Sequence, residues 1–216
     1  MTDIPIIFSG PMVRALLDSR KTMTRRLAWR WKDAIAPDGD EGLLKTPTSW
    51  QRAKVGDRLW VRENFAYVGT SDPGFLTYQA TYPEDLSGYG IENVPTTLKE
   101  AGYRWTPCIH MPRRLSRLTL IVTETMIEPL LDISEDDARA EGFEAGPLND
   151  GFGPRDFGGG CTIESPGGYA SAAGMFQITW AKLNPGWDGF SSPDVVALTF
   201  RVIKANIDAP EARVAA

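Results

Sequence analysis

Apolar and polar positions alternate in stretches short enough to read one at a time. Ile4 to Phe8 is an apolar run that predicts a strand. Ser9-Gly10-Pro11 punctuates it, with Pro11 suited to a first helical turn and Ser9 or Gly10 able to cap it. Met12, Val13, Ala15, Leu16 and Leu17 give the next helix an apolar face, and Asp18-Ser19 ends it. Residues 33–50 carry Pro37, Gly39, Gly42 and Pro47 and predict a loop or insertion. Gly56-Asp57 marks a turn, after which Leu59 and Val61 alternate with Arg58, Trp60 and Arg62 as in a strand with one buried face. Phe75 to Tyr82 predicts another strand, and residues 83–107 predict irregular chain. Leu115 to Glu124 is the clearest strand pattern, rich in β-branched residues. A helix is expected from Ser134, with Asp137 three residues on as in a capping box, and Gly142 ends it. Residues 142–174 are dense in glycine and predict a long mobile loop. They are not a phosphate cradle, since no strand–loop–helix context or Gly-Lys-Thr ending accompanies them. A plain flexible insertion and a functional lid are the two readings of that loop. Met175 to Leu183 predicts a short helix with Phe176, Trp180 and Leu183 on one face, and Val195 to Ile203 a closing strand. This order shows no regular strand–helix–strand repeat. It predicts an α+β protein whose mostly antiparallel sheet could close into a barrel.

Composition narrows the partners. The 216 residues suffice for one elaborated domain or two small ones. A hydrophobic content of 42% with 24% charged residues can bury a real core. The formal net charge of -5 argues against a surface that grips a long polyanion throughout. Local basic pockets remain available at Arg20, Lys21, Arg25, Arg26, Arg30 and Lys32, and at Arg113, Arg114 and Arg117; the plain reading of each is a solvated face. Cys108 and Cys161 lie too far apart for a zinc ribbon or a disulfide framework, and adding His110 gives no standard ligand spacing. No metal or cofactor is expected. The N-terminus lacks a leader pattern and no window approaches a membrane span, so a cytoplasmic protein with no membrane partner is expected.

The candidate chemistry sits in Ser19-Arg20-Lys21-Thr22-Met23-Thr24-Arg25-Arg26. A lysine beside a threonine is one of the few ways to make a hydroxyl nucleophilic without histidine, and the chain has one histidine. Lys21 and Thr24 stand out on that ground. The plain readings are a helix-end cation for Lys21 and strand packing for one of the two threonines.

The same segment carries a resemblance. Arg20-Lys21-Thr22-x-Thr24-x-Arg26 after an N-terminal helix, then Gly56-Asp57-x-Leu59-x-Val61, a strand ending in Val122-Thr123, and Leu131-x-Ile133-Ser134-x-x-x-Ala138-x-x-Glu141 together resemble the ASCH domain, a PUA-like β-barrel family. Within it the chain is similar to bacterial N4-acetylcytidine amidohydrolases. It is more similar still to longer phage and prophage ASCH proteins, through Gly10-Pro11-Met12-Val13-Arg14, Trp60-Val61-Arg62-Glu63 and Ile109-His110-Met111-Pro112-Arg113. The resemblance runs from Ile4 to Ile203 as a single domain. Insertions at about 31–50, 64–107 and 142–174 depart from the compact core, and 204–216 is left as a tail.

The resemblance implies a mostly antiparallel barrel flanked by short helices. It also implies an amide-hydrolysing set of Lys21, Thr24 and Glu141. A lysine takes a threonine proton only when its amine is neutral, which needs burial or neighbouring cations such as Arg20, Arg25 and Arg26. Glu141 would orient the lysine, relay a proton to the leaving amine or hold a water. In the alternative, Lys21 and Glu141 activate water and Thr24 only positions substrate. Arg26, Arg62, Glu63 and His110 are the expected substrate contacts. Against these stand a structural Arg62–Glu63 ion pair, a structural His110 and a solvated Glu141 in the last helical turn. Trp29, Trp31, Trp60 and Trp105 are expected mostly in the core, with one or two able to stack on a base. The expected activity is metal-independent hydrolysis of an N4-acylated cytosine nucleoside, with a small nucleoside as partner. The alternatives are a module that binds RNA or a modified base without chemistry, and a ribonuclease. The acidic balance favours a small substrate.

Overall fold

The computed structural model describes residues 1–35, 41–70, 72–90, 94, 96–147 and 169–214. In chain order it begins with strand β1 (Asp3–Ile7), helix α1 (Gly10–Leu17) and strands β2 (Met23–Leu27), β3 (Trp29–Ile35) and β4 (Glu41–Pro47). Strands β5 (Arg58–Arg62), β6 (Phe65–Val68) and β7 (Phe75–Tyr78) follow, then helix α2 (Glu84–Ser87) and strand β8 (Thr119–Pro129). Helix α3 (Glu135–Ala140), strands β9 (Gly146–Pro147) and β10 (Tyr169–Ala170), helix α4 (Ala172–Leu183), strand β11 (Asp194–Ile203) and helix α5 (Pro210–Val214) complete it. The protein is α+β. The pairs β2–β11, β3–β4, β5–β8, β6–β7 and β9–β10 are antiparallel and β1–β5 is parallel, and among the described residues no pairing closes the expected barrel.

The chain divides into two compact units. The first comprises Met1–Ser19, Gly56–Ile121 and Arg201–Ala216. In it Ile4 and Ile6 of β1 lie opposite Leu59 and Val61 of β5, and Leu59 lies opposite Leu120 of β8. Ile6, Leu59, Val61 and Leu120 are buried, each worth about 1.5–3 kcal/mol of transfer free energy. The alternation read for β5 holds for Leu59 and Val61, but Arg58 is buried as well, its Nε and Nη2 donating to the Asp3 carboxylate at 2.8 Å. Strands β6 and β7 form a hairpin whose turn requires Gly74: its φ is +87°, and a Cβ there would lie 2.7 Å from the Val68 carbonyl oxygen. Ala66, Val68, Leu86 and Leu98 make a local core with Phe75, Tyr82, Tyr103 and Trp105 packed on it. The described part of 83–107 is thus short of regular structure, yet Leu86, Leu98, Tyr103 and Trp105 are packed. The expected tail is structural too: Ile207 and Ala212 are buried, and Asn206 Nδ2 donates to the carbonyls of Arg113 and Ser116.

The second unit comprises Arg20–Val55 and Val122–Phe200. Strand β2 pairs with β11, Thr24 opposite Leu198 and Leu27 opposite Val195. The expected loop at 33–50 is instead largely a hairpin of β3 and β4, from Trp29 opposite Pro47 to Ile35 opposite Glu41. Gly42 lies inside β4 and Pro47 at its end, while Pro37 and Gly39 lie outside the described residues. Helix α3 starts where the cap predicts, with Ser134 Oγ accepting from the Asp137 amide at 3.1 Å. Helix α4 starts three residues earlier than expected, at Ala172, because Ser171 Oγ accepts from the Gly174 amide. Glu135 of α3 also accepts from the Ala172 and Ala173 amides at 3.1 Å. The Ser171 hydrogen bond and these amides hold its carboxyl below the usual range. Phe143, just past the end of α3, makes an edge-to-face contact with Phe176 of α4, centroids 5.7 Å apart. The described ends of the glycine-rich segment are therefore ordered structure: Phe143 is buried and β9 pairs with β10. Residues 148–168, with most of its glycines and Cys161, lie outside the described residues.

Candidate active site

Lys21 occupies the short link between α1 and β2. Its neighbour Thr22 fixes the backbone there, the Thr22 amide donating to the Ala140 carbonyl at 2.7 Å and its carbonyl accepting from the Phe200 amide at 2.8 Å. The Lys21 ammonium is 0% exposed and donates to Glu141 Oε2 at 2.6 Å and to the Glu141 carbonyl at 2.8 Å. Glu141 is the C-cap of α3, and Gly142 follows at φ +92°, where a glycine reverses the chain without strain. A carboxylate at a helix C-terminus is electrostatically unfavourable. The buried lysine offsets both that charge and the terminal carbonyl, and at 3% exposure Glu141 is not the solvated residue of the plain reading. Burial pushes the Lys21 amine well below the usual lysine range; the Glu141 charge opposes this, and Arg26 and Arg25 add to it.

Thr24 sits in β2, fully buried, and its Oγ1 accepts from Arg26 Nη1 at 3.0 Å. The Arg26 guanidinium lies 5.9 Å from the Trp50 ring. Strand alternation puts Thr24 and Arg26 on one face of β2 and Arg25 on the other. Arg25 is buried as well. It donates through Nε to Glu128 Oε1 at 2.7 Å and through Nη2 to Asp137 Oδ2 at 3.0 Å. Its Nη1 lies 3.6 Å from Glu141 Oε1. That oxygen is buried and has no hydrogen-bond donor among the described residues.

The remaining expected contacts, Arg62, Glu63 and His110, belong to the first unit. The anticipated Arg62–Glu63 pair is replaced by another. Arg117 Nε and Nη2 clamp the two Glu63 oxygens at 2.8 and 3.0 Å, and Glu63 is 2% exposed. Burial pushes the Glu63 carboxyl up, with Arg117 partly opposing. Arg117 also donates to Thr81 Oγ1 and stacks 4.1 Å from the Tyr78 ring centroid. Burial raises the Tyr78 phenol to about 12, and its hydroxyl donates to the Leu115 carbonyl. Arg62 stacks on Trp60 at 5.4 Å and donates to the Ile109 carbonyl, while His110 is exposed in a 3-10 turn. The basic group of Arg113 and Arg117 is no cationic face, since Arg113 is itself paired with Asp3 and Asp208 at 2.6 and 2.7 Å.

Glu128 and Asp137 were not legible as site residues, and Arg25 was read only as a cation acting on the Lys21 amine, without its partners. One signal was present, because Asp137 and Glu141 stand four apart and share a helix face. Among the described residues no three His, Cys, Asp or Glu side chains converge as a metal site, and no helix is long and apolar enough to cross a membrane. Compared with known proteins, the chain matches no family model, no curated protein and no solved structure.

Proposed function

We propose that the chain is a cytoplasmic amidohydrolase of the PUA-like ASCH type that removes the acyl group from N4-acetylcytidine or a related N4-acylated cytosine nucleoside. One observation carries the reading: a fully buried lysine, drawn toward its neutral form, is hydrogen-bonded to a buried glutamate whose other oxygen has no donor among the described residues. In the reaction the neutral Lys21 amine takes the Thr24 proton as Oγ1 attacks the acyl carbon. Arg26, already donating to that oxygen, favours its deprotonated form as the proton leaves. The C–N bond then breaks, and the leaving exocyclic amine takes the proton from Lys21, with Glu141 relaying it. Water releases the acyl group from Thr24 as the carboxylic acid. The water-activated variant uses the same Lys21–Glu141 pair without the acyl-threonine. Thr24 and Lys21 have no exposed surface, so entry of a nucleoside requires the side chains over them to move.

The test is the ultraviolet absorbance of N4-acetylcytidine with pure, EDTA-dialysed protein. Conversion to cytidine that Lys21→Ala abolishes is the expected result. Conversion lost on chelation and restored by zinc overturns the metal-free mechanism, and no conversion overturns the enzyme. The near-complete burial of the set favours one second reading, a structural ion pair beneath a binding surface. That reading expects calorimetric binding of the nucleoside, or of RNA carrying it, with no turnover.

A further inference from the structure

The Arg25 side chain is wholly buried, and its donors are unequally committed. Nε and Nη2 both lie within 2.7 Å of Glu128 Oε1, and Nη2 also reaches Asp137 Oδ2 at 3.0 Å. Nη1 faces the Met23 sulfur at 3.1 Å and stops 3.6 Å short of Glu141 Oε1, just outside hydrogen-bond reach. The Phe176 ring lies 5.9 Å from the guanidinium carbon. A weakly engaged nitrogen thus stands beside a carboxylate oxygen that has no donor among the described residues. Electrostatics alone would draw them together, and the grip of Glu128 and Asp137 on the far side of the fork keeps them apart.

We propose that Arg25 is a positioning residue that sets how the Glu141 carboxylate is shared, and that Glu128 and Asp137 hold its guanidinium back so that Glu141 Oε1 stays open. The consequence is a division of labour. Glu141 Oε2 serves Lys21, and Oε1 remains able to receive a proton or a donor from a ligand. If Arg25 closed on Oε1, that acceptor would be lost and Lys21 would share its counter-ion. The charged groups around the pair are Lys21, Arg25 and Arg26 against Glu128, Asp137 and Glu141. Removing one of the outer acids therefore acts on Lys21 through Arg25. The kinetic part of this proposal rests on the amidohydrolase reading; the structural part does not.

The experiment uses the full chain as wild type, E128Q and R25K. The rate against pH with N4-acetylcytidine is measured beside the NMR titration of the Lys21 side chain in 15N-lysine protein, assigned with K21R. In E128Q the guanidinium is released toward Glu141. Lys21 should then titrate at lower pH, and kcat should fall between about 10- and 100-fold while KM changes little. In R25K, a compact ammonium that cannot span three carboxylates, Lys21 should titrate at higher pH. Opposite displacements of Lys21 in two folded variants support the proposal, even if wild type turns over no substrate, an outcome that removes only the amidohydrolase reading. Lowered melting temperatures with the Lys21 titration and the rate–pH profile unchanged overturn it and leave Arg25 a structural residue.

Discussion

Replacing Glu141 by glutamine separates a buried counter-ion from a surface residue most sharply. The substitution keeps the side-chain shape and removes the charge 2.6 Å from Lys21 Nζ. Breaking a buried pair by removing one partner typically costs about 3–5 kcal/mol, because the other charge is left in a medium that solvates it poorly. The lysine can escape part of this by shedding its proton, so the loss must depend on pH. Glu141 is the group that raises the Lys21 pKa, and without it the folded-state value falls further below 10.5. A lysine lowered in the folded state binds fewer protons there than when unfolded, so stability rises with pH up to the unfolded value. Denaturant unfolding of wild type and Glu141→Gln at pH 6 and pH 9 should therefore show about 3–5 kcal/mol lost at the lower pH and clearly less at the higher. Turnover of N4-acetylcytidine should fall roughly 10²–10⁴-fold, with substrate binding less affected. A stability loss under about 0.5 kcal/mol, equal at both pH values, would refute the reasoning, since it falls within the range of ordinary surface substitutions.

Lys21→Arg should be as inactive as Lys21→Ala, because a guanidinium does not release a proton near neutral pH; turnover close to wild type would make Lys21 an electrostatic residue only. Arg117→Met leaves Glu63 buried without its cation and should cost about 3 kcal/mol at pH 7. The Glu63 carboxyl is already raised, and stability from a raised carboxyl is present below its free value of 4.5 and lost above it, so the deficit should shrink in acid unfolding experiments. Of the six tyrosines, Tyr78 should ionise near 12 in an ultraviolet titration, and Tyr78→Phe should remove that step; its folded value lies above the free value of 10.0, so stability should decline as pH rises between the two.

Local signals were the legible ones. Ser134, Asp137 and Gly142 announced both ends of α3, and the alternation of Leu59 and Val61 announced β5. What failed depended on partners far away in sequence. The β3–β4 hairpin was read as loop because Gly42 and Pro47 are breakers by composition, yet both are accommodated in β4. The segment from 204 onward is anchored by buried Ile207 and Ala212 and by Asn206 hydrogen bonds to Arg113 and Ser116, contacts its own sequence does not display. Within the site, Lys21 and Thr24 could be picked by their chemistry, and Glu141 by resemblance. Arg25 was legible as a cation near Lys21, but its burial was not, since it depends on three acids, Glu128, Asp137 and Glu141, 103 or more residues further along the chain. Likewise Arg62 ends β5 and Glu63 follows it, and the acid is paired with Arg117, 54 residues away, instead of with its neighbour.

The chain enters the second unit at Arg20, leaves it after Val55 and returns only at Val122, so neither unit is one continuous segment. Lys21 and Glu141 are 120 residues apart. At the usual pace of synthesis, that separation corresponds to roughly 6–24 s during which the lysine has emerged and its partner does not yet exist. Arg25 waits as well, with Glu128 and Asp137 both encoded downstream. Burying either cation before then would mean dehydrating an unpaired charge, so β2 must remain hydrated until α3 has been made. A chain that ends between Val55 and Val122 therefore carries both cations and none of the three acids that pair with them.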